Sequence, residues 1–243
     1  MASFKDMSLT PVEFGRFANL EKSEVEMLLD RGALNVIRKK IGNVERKIIP
    51  LEAIQDFYKS NRDLFQTNPA GAEEKLGDLG RRGDRWKSPS SKIQMFYNVK
   101  GGTGKSTISA QFAMRAAMSG FKVLAVDLDG QGHLSLNLDV LDSHERPTVY
   151  DILINDLPVE DAIFNVAPYL DLIPANLGLC NIEIPLNNKA RREYRLGEAI
   201  AKIADRYDLI VADTNPDASR GTPGPSARRL AGRNSPSCGS NPR

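Results

Sequence analysis

The chain has 243 residues, and its 33 lysines and arginines nearly balance 31 aspartates and glutamates, for a net charge of +2. This balance excludes a polybasic protein that acts by bulk charge, and no run approaches the ~20 apolar residues of a membrane span. The N-terminus lacks the apolar stretch of a secretory signal. Two cysteines, Cys180 and Cys238, are too few for a disulfide framework and indicate a reducing, cytoplasmic compartment.

Changes in composition divide the chain into four stretches. Residues 1–61 alternate apolar and charged positions, whereas residues 62–91 combine mixed charge with little aliphatic content, which is typical of a linker. Residues 92–216 hold the densest apolar runs. Residues 217–243 are rich in glycine, proline, serine and arginine, and such a composition cannot bury enough apolar surface to fold alone. We therefore expect two folded domains, separated by a linker and followed by a tail.

The first stretch predicts two short helices joined by a tight turn. Thr10 is suited to cap a helix that begins at Pro11, and Glu13 can close a capping box. The apolar contacts of this helix are expected from Val12, Phe14, Phe17 and Ala18. A second helix is expected over 22–31, with Gly32 ending it in the left-handed conformation. Its buried face is predicted to hold Val25, Leu28 and Leu29. Such a pair is a helix-turn-helix candidate.

A basic hairpin is predicted next. Gly42-Asn43 lies between two β-prone arms, which indicates a hairpin, or wing, and a third helix is expected from Pro50. Between residues 31 and 47 there are six basic residues and a single acid, Glu45. A basic wing suits DNA phosphates, while the second helix of a helix-turn-helix reads bases. The expected DNA-binding residues are Lys22, Ser23, Arg38, Lys39, Lys40, Arg46 and Lys47.

The order of these elements resembles the winged, MerR-type and excisionase-type DNA-binding heads. This resemblance rests on the pattern of helices and hairpin over residues 1–61. The alternative is a solvated hairpin on a winged helix that binds protein.

A phosphate-binding loop is predicted in the second domain. An apolar strand over 93–98 runs directly into a glycine-rich loop and then a helix, and glycines let backbone N–H groups turn toward phosphates. Lys105 is expected to reach the β- and γ-phosphates, and the Ser106 hydroxyl to ligate Mg²⁺. The usual first glycine would fall at Val99, so the match is to the deviant form with a second lysine, Lys100. The expected nucleotide-binding residues are Lys100, Gly101, Gly102, Thr103, Gly104, Lys105, Ser106 and Thr107.

Carboxylates close two further apolar strands. The run over 123–126 leads into Asp127 and Asp129, and a strand over 208–214 closes on Asp213 in the Walker B manner, which holds Mg²⁺. Two more elements are expected between them, a strand over 169–174 and a helix over 191–206. Continuous apolar strands indicate a parallel sheet buried on both faces, which binds ligands at its carboxyl edge. Each carboxylate alone could cap a helix or form a turn, but this order behind a phosphate loop predicts a nucleotide site.

Through KGGTGKST, VDLDGQ and DLIVADTNP, residues 93–216 resemble the ParA/MinD family of deviant-Walker-A P-loop ATPases. The resemblance implies an α/β fold with a mostly parallel sheet flanked by helices, with ATP and Mg²⁺ as ligands and a homodimer when ATP is bound. Lys100 would cross to the partner's nucleotide, and Asp129 would position the attacking water. The implied catalytic residues are Lys100, Lys105 and Asp129, and the implied metal shell is Ser106, Asp127 and Asp213.

With a helix-turn-helix head, the whole chain resembles the larger plasmid-partition ATPases, which repress their own operon. The resemblance implies a cytoplasmic, nucleoid-associated ATPase that binds operator and nonspecific DNA and is reset by a ParB-type partner. Two alternatives stay open: a DNA-binding repressor with a nucleotide-sensing or inactive ATPase half, and a nonfunctional remnant. No C-terminal amphipathic helix is predicted, so no membrane partner is expected.

The sequence departs from the family pattern after Pro216. Further strands and helices are expected there, and the tail over 217–243 predicts a truncated or out-of-frame end, with a natural disordered tail as the alternative. On this basis we expect the 243-residue chain not to turn over ATP at a useful rate. Gly130 stands where the family often has proline, a change we expect a loop to tolerate. His133 and His144 lack partners at ligand spacing and are expected to be solvated or capping residues.

Overall fold

The computed structural model describes residues 4–41, 44–61, 92–98 and 100–214. Four predicted features lie outside these residues: the linker over 62–91, the tail over 217–243, the hairpin turn at Gly42-Asn43, and Val99 of the loop. The described chain divides into two compact units. The first unit holds residues 4–61 with the short segments 114–122 and 167–169, and the second unit holds the rest of 92–214.

The first unit contains the predicted helices and hairpin. Its elements are a 3₁₀ turn at Phe4–Asp6, β1 (Ser8–Leu9), α1 (Pro11–Ala18), α2 (Lys22–Asp30), β2 (Ile37–Ile41), β3 (Val44–Pro50) and α3 (Leu51–Ser60). The three strands form an antiparallel sheet in the order β1-β3-β2. In this sheet Ile37 lies opposite Ile48, and Ile41 lies opposite Val44.

Local signals at the helix ends are confirmed. The Thr10 hydroxyl accepts a hydrogen bond from the Glu13 N–H (3.3 Å), and the Glu13 carboxylate accepts one from the Thr10 N–H (2.7 Å). These bonds to Thr10 lower the pKa of Glu13. The helix α1 ends at Asn19, which is left-handed with φ 56°, and Gly32 has φ 67° just beyond α2. Residues with capping conformations therefore mark both ends of α1 and the end of α2.

The core of the first unit is built from one face of each helix. Phe14 is fully buried and meets Phe57 of α3 edge-on, with ring centroids 5.3 Å apart. The predicted face of α2 is buried at Val25 and half-buried at Leu28 and Leu29. The prediction for Val12 is wrong, because its side chain is 58% exposed. Two helical positions from Phe14, it lies on nearly the opposite face of α1.

The second unit is built around a five-stranded sheet. The elements that lie wholly or mostly in this unit are β4 (Lys92–Phe96), α4 (Lys105–Met118), β5 (Val123–Leu128), α5 (His133–Asn137), α6 (Val149–Ile154), β6 (Phe164–Ala167), β7 (Leu170–Ile173), α7 (Glu183–Asn187), α8 (Arg195–Ala201) and β8 (Leu209–Thr214). The strand order is β4-β8-β5-β7-β6, and β4, β8, β5 and β7 are parallel neighbours. The predicted α/β fold with a mostly parallel sheet flanked by helices is confirmed. Among the helices of the described residues, none combines the length and apolar character needed to cross a membrane.

The strand order gathers the predicted motifs at one edge. β8 lies between β4 and β5, so the strand that leads into the phosphate loop and the two that carry carboxylates are neighbours. Asp127 and Asp213 are direct register partners across β5 and β8. Because parallel strands end at the same edge of a sheet, the loop and both carboxylates meet there.

Three elements differ from their predictions. β4 is half-buried rather than buried, because among the described strands it lies at the edge and pairs only with β8. The strand β6 was not predicted; it joins β7 through the two residues Pro168-Tyr169, and so short a link fits an antiparallel hairpin. The predicted helix over 191–206 is reduced to α8 and a 3₁₀ turn, and Arg191 is left-handed with φ 54°. Leu196, Ile200 and Ile203, which would share one face of the predicted helix, are nevertheless buried.

Candidate nucleotide site

The loop between β4 and α4 has the backbone of a phosphate cradle. Gly102 and Gly104 have φ of 69° and 79°, in the left-handed region that favours glycine. The loop is held from within, since the Lys100 N–H donates to Asn98 Oδ1 (3.1 Å) and the Thr103 hydroxyl donates to the Lys100 carbonyl (3.2 Å). It opens directly into the N-terminus of α4, whose free N–H groups and dipole favour an anion.

The predicted nucleotide-binding side chains are distributed around this loop. Lys100 has an exposed side chain at the start of the loop, while Lys105 and Ser106 are half-buried in the first turn of α4. Gly101, Gly102 and Thr103 are exposed, as a ligand-accepting loop requires. Thr107 is exposed on the same first turn. The structure therefore brings all eight predicted residues into one loop and helix start.

Asp127 is fully buried at the end of β5, and both of its carboxylate oxygens accept hydrogen bonds. Its Oδ1 accepts from the Asp129 N–H (3.1 Å), and its Oδ2 accepts from both the N–H (2.9 Å) and the hydroxyl (2.8 Å) of Ser135. Burial raises the pKa of Asp127 to about 7, against the opposing effect of these hydrogen bonds. The nearby charge of Asp213 raises the pKa further.

Asp213 is also fully buried, but it is only half satisfied. Its Oδ1 accepts a hydrogen bond from the Ser109 hydroxyl (3.0 Å), whereas its Oδ2 has no hydrogen-bond partner among the described residues. Burial raises the pKa of Asp213, and the hydroxyls of Ser106 and Ser109 oppose that shift. A buried carboxylate oxygen without a donor is costly, and a bound cation would relieve that cost.

These donors fit Mg²⁺. This ion prefers oxygen ligands, keeps several waters, and is held by one or two carboxylates together with substrate phosphates. Among the described residues there is no cluster of three or more acidic, histidine or cysteine groups that could form an all-protein metal cage. The half-satisfied Asp213 and the Ser106 hydroxyl beside a phosphate cradle match the sparser arrangement.

The loop after β5 places Asp129 at the edge of this site. Asp129 is nearly buried, and its Oδ1 accepts a hydrogen bond from the Gln131 N–H (3.0 Å). His133 Nδ1 lies 4.0 Å from Asp129 Oδ2. The His133 side chain is 58% exposed at the first position of α5, which agrees with the solvated role expected for it.

Gly130 lies where two segments approach closely. A Cβ at this position would lie 2.5 Å from the Sγ and 2.9 Å from the backbone N of Cys180. The Gln131 side-chain amide also contacts Cys180 Sγ at 3.7 Å. The packing between the loop and residue 180 therefore leaves no room for a side chain at this position.

The comparisons with known proteins identify the family. The model of the AAA domain family AAA_31 matches residues 91–222, more than half of the chain. The chain belongs to this family. The match covers the phosphate loop and both carboxylate strands, which are the parts that assemble the site described above.

Several curated relatives of this AAA_31 member are partition or cell-division proteins. It is 36% identical over 174 residues to the cell division protein PomZ of Myxococcus xanthus, covering 71% of this chain and 51% of that protein. It is 38% identical to the chromosome partitioning protein ParA of Caulobacter vibrioides, over 51% of this chain and 48% of that one. It is also 38% identical to the sporulation initiation inhibitor protein Soj of Bacillus subtilis, over 51% and 50%. The chain spans about half the length of the curated relatives it matches.

Solved structures give the same result for the fold. A plasmid partition protein from Borrelia burgdorferi matches with a TM-score of 0.51 and 29% identity, over 58% of this chain and 62% of that chain. Cobyrinic acid a,c-diamide synthase from Mycobacterium smegmatis, solved with a bound ATP analog and magnesium, matches with a TM-score of 0.51 and 31% identity, over 58% and 57%. The predicted resemblance to ParA-type P-loop ATPases is confirmed.

Two residues of the AAA_31 site were missed from sequence. Ser109 follows Lys105 by four residues, and this helical spacing could have indicated that it shares a face with the loop lysine. Its hydroxyl is shared between the Lys105 carbonyl (2.9 Å) and Asp213. Ser135 carries no such signal, because its contact with Asp127 depends on how the intervening loop folds.

The seven predicted DNA-binding residues are all exposed on the first unit. Lys22 and Ser23 lie in the first turn of α2, and Lys22 is 3.7 Å from Glu26. The other five lie on the β2–β3 hairpin, where Arg38 is opposite Lys47, Lys39 is opposite Arg46, and Lys40 is opposite Glu45. The hairpin therefore carries two cross-strand pairs of like charge.

Proposed function

We propose that this chain is a ParA-like partition ATPase that binds and hydrolyses ATP with Mg²⁺ to drive plasmid or chromosome segregation. The observation that carries the proposal is the meeting of a phosphate loop with a buried carboxylate, Asp213, whose Oδ2 has no hydrogen-bond partner among the described residues. The names of the relatives, which include chromosome partitioning proteins, support the biological role.

Each site residue has a stated task in this proposal. The loop N–H groups and Lys105 bind the β- and γ-phosphates, and Ser106 with Asp213 would hold Mg²⁺. Bound Mg²⁺ neutralises charge on the phosphates. Asp129 orients the attacking water. The exposed Lys100 reaches the nucleotide of a second copy in an ATP-bound homodimer.

We further propose that residues 4–61 form a winged helix-turn-helix that binds operator DNA. The order of α1, α2, the β2–β3 hairpin and α3 supports this assignment. Like charges directly opposite each other destabilise a strand pair, and DNA phosphates between Lys39, Arg46 and their neighbours would remove that cost. From its family, we also expect the chain to bind nonspecific DNA and a ParB-type protein and to be located at the nucleoid.

Nucleotide binding is the decisive test, because it depends directly on the phosphate loop and on Lys105. A fluorescent ATP analogue should bind the full chain with Mg²⁺, and Lys105→Ala should abolish binding, because no other side chain supplies that charge at the phosphates. Lys100→Ala should keep binding but lose the ATP-dependent dimer, measured by light scattering. Lys202→Ala, an exposed lysine of the second unit outside the site, is the control.

Three outcomes are informative. Equal binding by wild type and the Lys105 variant would contradict the assignment of the loop. Phosphate release stimulated by duplex DNA would support the full ATPase cycle. Tight, sequence-specific DNA binding with nucleotide binding but no phosphate release would favour the repressor with a nucleotide-sensing half.

A further inference from the structure

The two buried carboxylates at the site are held in different ways. Both lie at the carboxyl edge, as register partners on β5 and β8. Asp127 accepts three hydrogen bonds through both of its oxygens, whereas Asp213 accepts one, from Ser109, and leaves Oδ2 without a partner among the described residues. Both residues follow an apolar strand in the sequence, but the structure gives them different numbers of hydrogen bonds.

The donors to Asp127 come from the loop that follows it and from α5. They are the N–H of Asp129 and the N–H and hydroxyl of Ser135, two and eight residues further along the chain. Within that span, the Gly132 N–H donates to the Asp129 carbonyl (2.8 Å) and the Gln131 N–H donates to Asp129 Oδ1 (3.0 Å). The loop is thus folded back around the Asp127 carboxylate, with Asp129 held inside the turn.

A cation would have to compete with hydrogen-bond donors at Asp127 but not at Asp213 Oδ2. A carboxylate offers about four acceptor positions on its two oxygens, so three donors leave Asp127 little capacity for a further ligand. Binding of Asp127 to a cation or its waters would compete with donors from the loop. Asp213 Oδ2 needs no such exchange, because it has no hydrogen-bond partner among the described residues, and a nearby positive charge would offset the cost of its burial.

We propose that Asp127 is a positioning residue that holds the loop after β5 and the start of α5 in place through Ser135, and that it lies outside the Mg²⁺ shell. This rests on the proposed function, which assigns Asp213 to the cation and Asp129 to the attacking water. The hydrogen bonds to Asp127 fix the position of Asp129 relative to the phosphate loop. Ser135 becomes the second positioning residue of the site, because it supplies two of the three hydrogen bonds.

The experiment compares four variants of the full chain: Asp127→Asn, Asp213→Asn, Ser135→Ala and Ser135→Thr. The first readout is the Mg²⁺ concentration that half-saturates binding of a fluorescent ATP analogue. Asp213→Asn should raise that concentration about tenfold or more, the usual effect of disturbing a metal site. Asp127→Asn and Ser135→Ala should leave it close to the wild-type concentration.

The second readout is amide hydrogen exchange over 128–137 in the protein without nucleotide. Exchange there should be at least about fivefold faster in Asp127→Asn and Ser135→Ala, because each removes a hydrogen bond that closes the loop. Ser135→Thr retains the hydroxyl and should restore slow exchange. Asp213→Asn should leave exchange in this segment close to wild type.

Two results would overturn this role of Asp127. One is an Asp127→Asn shift in the Mg²⁺ half-saturation as large as that of Asp213→Asn. The other is unchanged exchange over 128–137 in Ser135→Ala. This variant keeps the Asp127 carboxylate, so it still tests the proposal if Asp127→Asn fails to fold. Failure of the wild type to bind the ATP analogue would instead count against the proposed function, and the exchange measurement, made without nucleotide, would still test the role of Asp127.

Discussion

Close packing around Gly130 shows how one position can depend on a distant residue. The glycine follows Asp129 in the loop beyond β5, and the backbone of Cys180 approaches the place where a Cβ would lie to 2.9 Å. A flexible side chain could move away, but a backbone nitrogen cannot do so without shifting its own turn. The packing therefore requires glycine, and the requirement comes from Cys180, fifty residues along the chain, rather than from the neighbours of Gly130 in the loop.

Gly130→Ala should lower the free energy of unfolding by about 1–3 kcal/mol, the usual cost of forcing an extra group into a packed site. Gly101→Ala is the matched control, since a Cβ there meets nothing within 4 Å. Combining Gly130→Ala with Cys180→Ala should recover only part of the loss, because the backbone contact remains. Urea unfolding followed by circular dichroism measures all three. Equal stability of the Gly130 and Gly101 variants would contradict this reading of the contact.

At the scale of elements, the β2–β3 hairpin concentrates the basic charge of the first unit. Its sole exposed acid within the described strands, Glu45, is 3.6 Å from Arg38, and both side chains are more than half exposed. An exposed pair of this kind adds little stability and leaves the hairpin strongly positive. The hairpin register, and not the composition of the chain, determines that Lys39 and Arg46 are opposite each other.

Replacement of Arg38, Lys39 and Lys40 together by alanine should weaken binding to duplex DNA. Each lost phosphate contact should reduce the slope of log K against log salt by about 0.9. The measurement is fluorescence anisotropy of a labelled duplex at several salt concentrations. A variant with Lys189, Lys202 and Arg206 replaced by alanine removes the same charge from the second unit and should keep the wild-type slope. Unchanged affinity of the hairpin variant would show that DNA does not bind there.

At the scale of the whole molecule, the two compact units carry different proposed ligands. The first presents exposed cations on a hairpin, whereas the second presents a loop and carboxylates at the edge of a parallel sheet. A ligand that binds only the folded state stabilises it in proportion to the logarithm of its concentration. Nucleotide binding should therefore be visible as stability of the second unit, independently of turnover.

ATP with Mg²⁺ at a hundred times its Kd should raise the free energy of unfolding of the second unit by about 2.7 kcal/mol. Chelation of Mg²⁺ with EDTA should remove most of this gain, because the half-satisfied Asp213 then lacks its cation. Hydrogen exchange shows which unit is stabilised, and we expect protection of the segments 100–106 and 127–135. The same protection in Lys105→Ala would place the nucleotide elsewhere.

Much of the site is encoded by short spacings, and these features could be predicted. The phosphate loop, the carboxylates at strand ends and the capping box at Thr10 and Glu13 depend on residues within a few positions of each other. Such features form from local backbone geometry, so the sequence alone specifies them. The buried face of α8 followed from helical periodicity for the same reason, even though the helix is shorter than predicted.

Tertiary structure decided the features that depend on which strands become neighbours. The insertion of β8 between β4 and β5 makes Asp127 and Asp213 register partners and leaves β4 at an edge of the described sheet. The bonds from Ser109 and Ser135 and the contact between Gly130 and Cys180 likewise join segments that no local pattern links. The sequence by itself determined which chemical groups are present at the site. Folding decided that Asp127 accepts three hydrogen bonds while Asp213 Oδ2 accepts none from the described residues, because burial and hydrogen-bond partners exist only once the chain has folded.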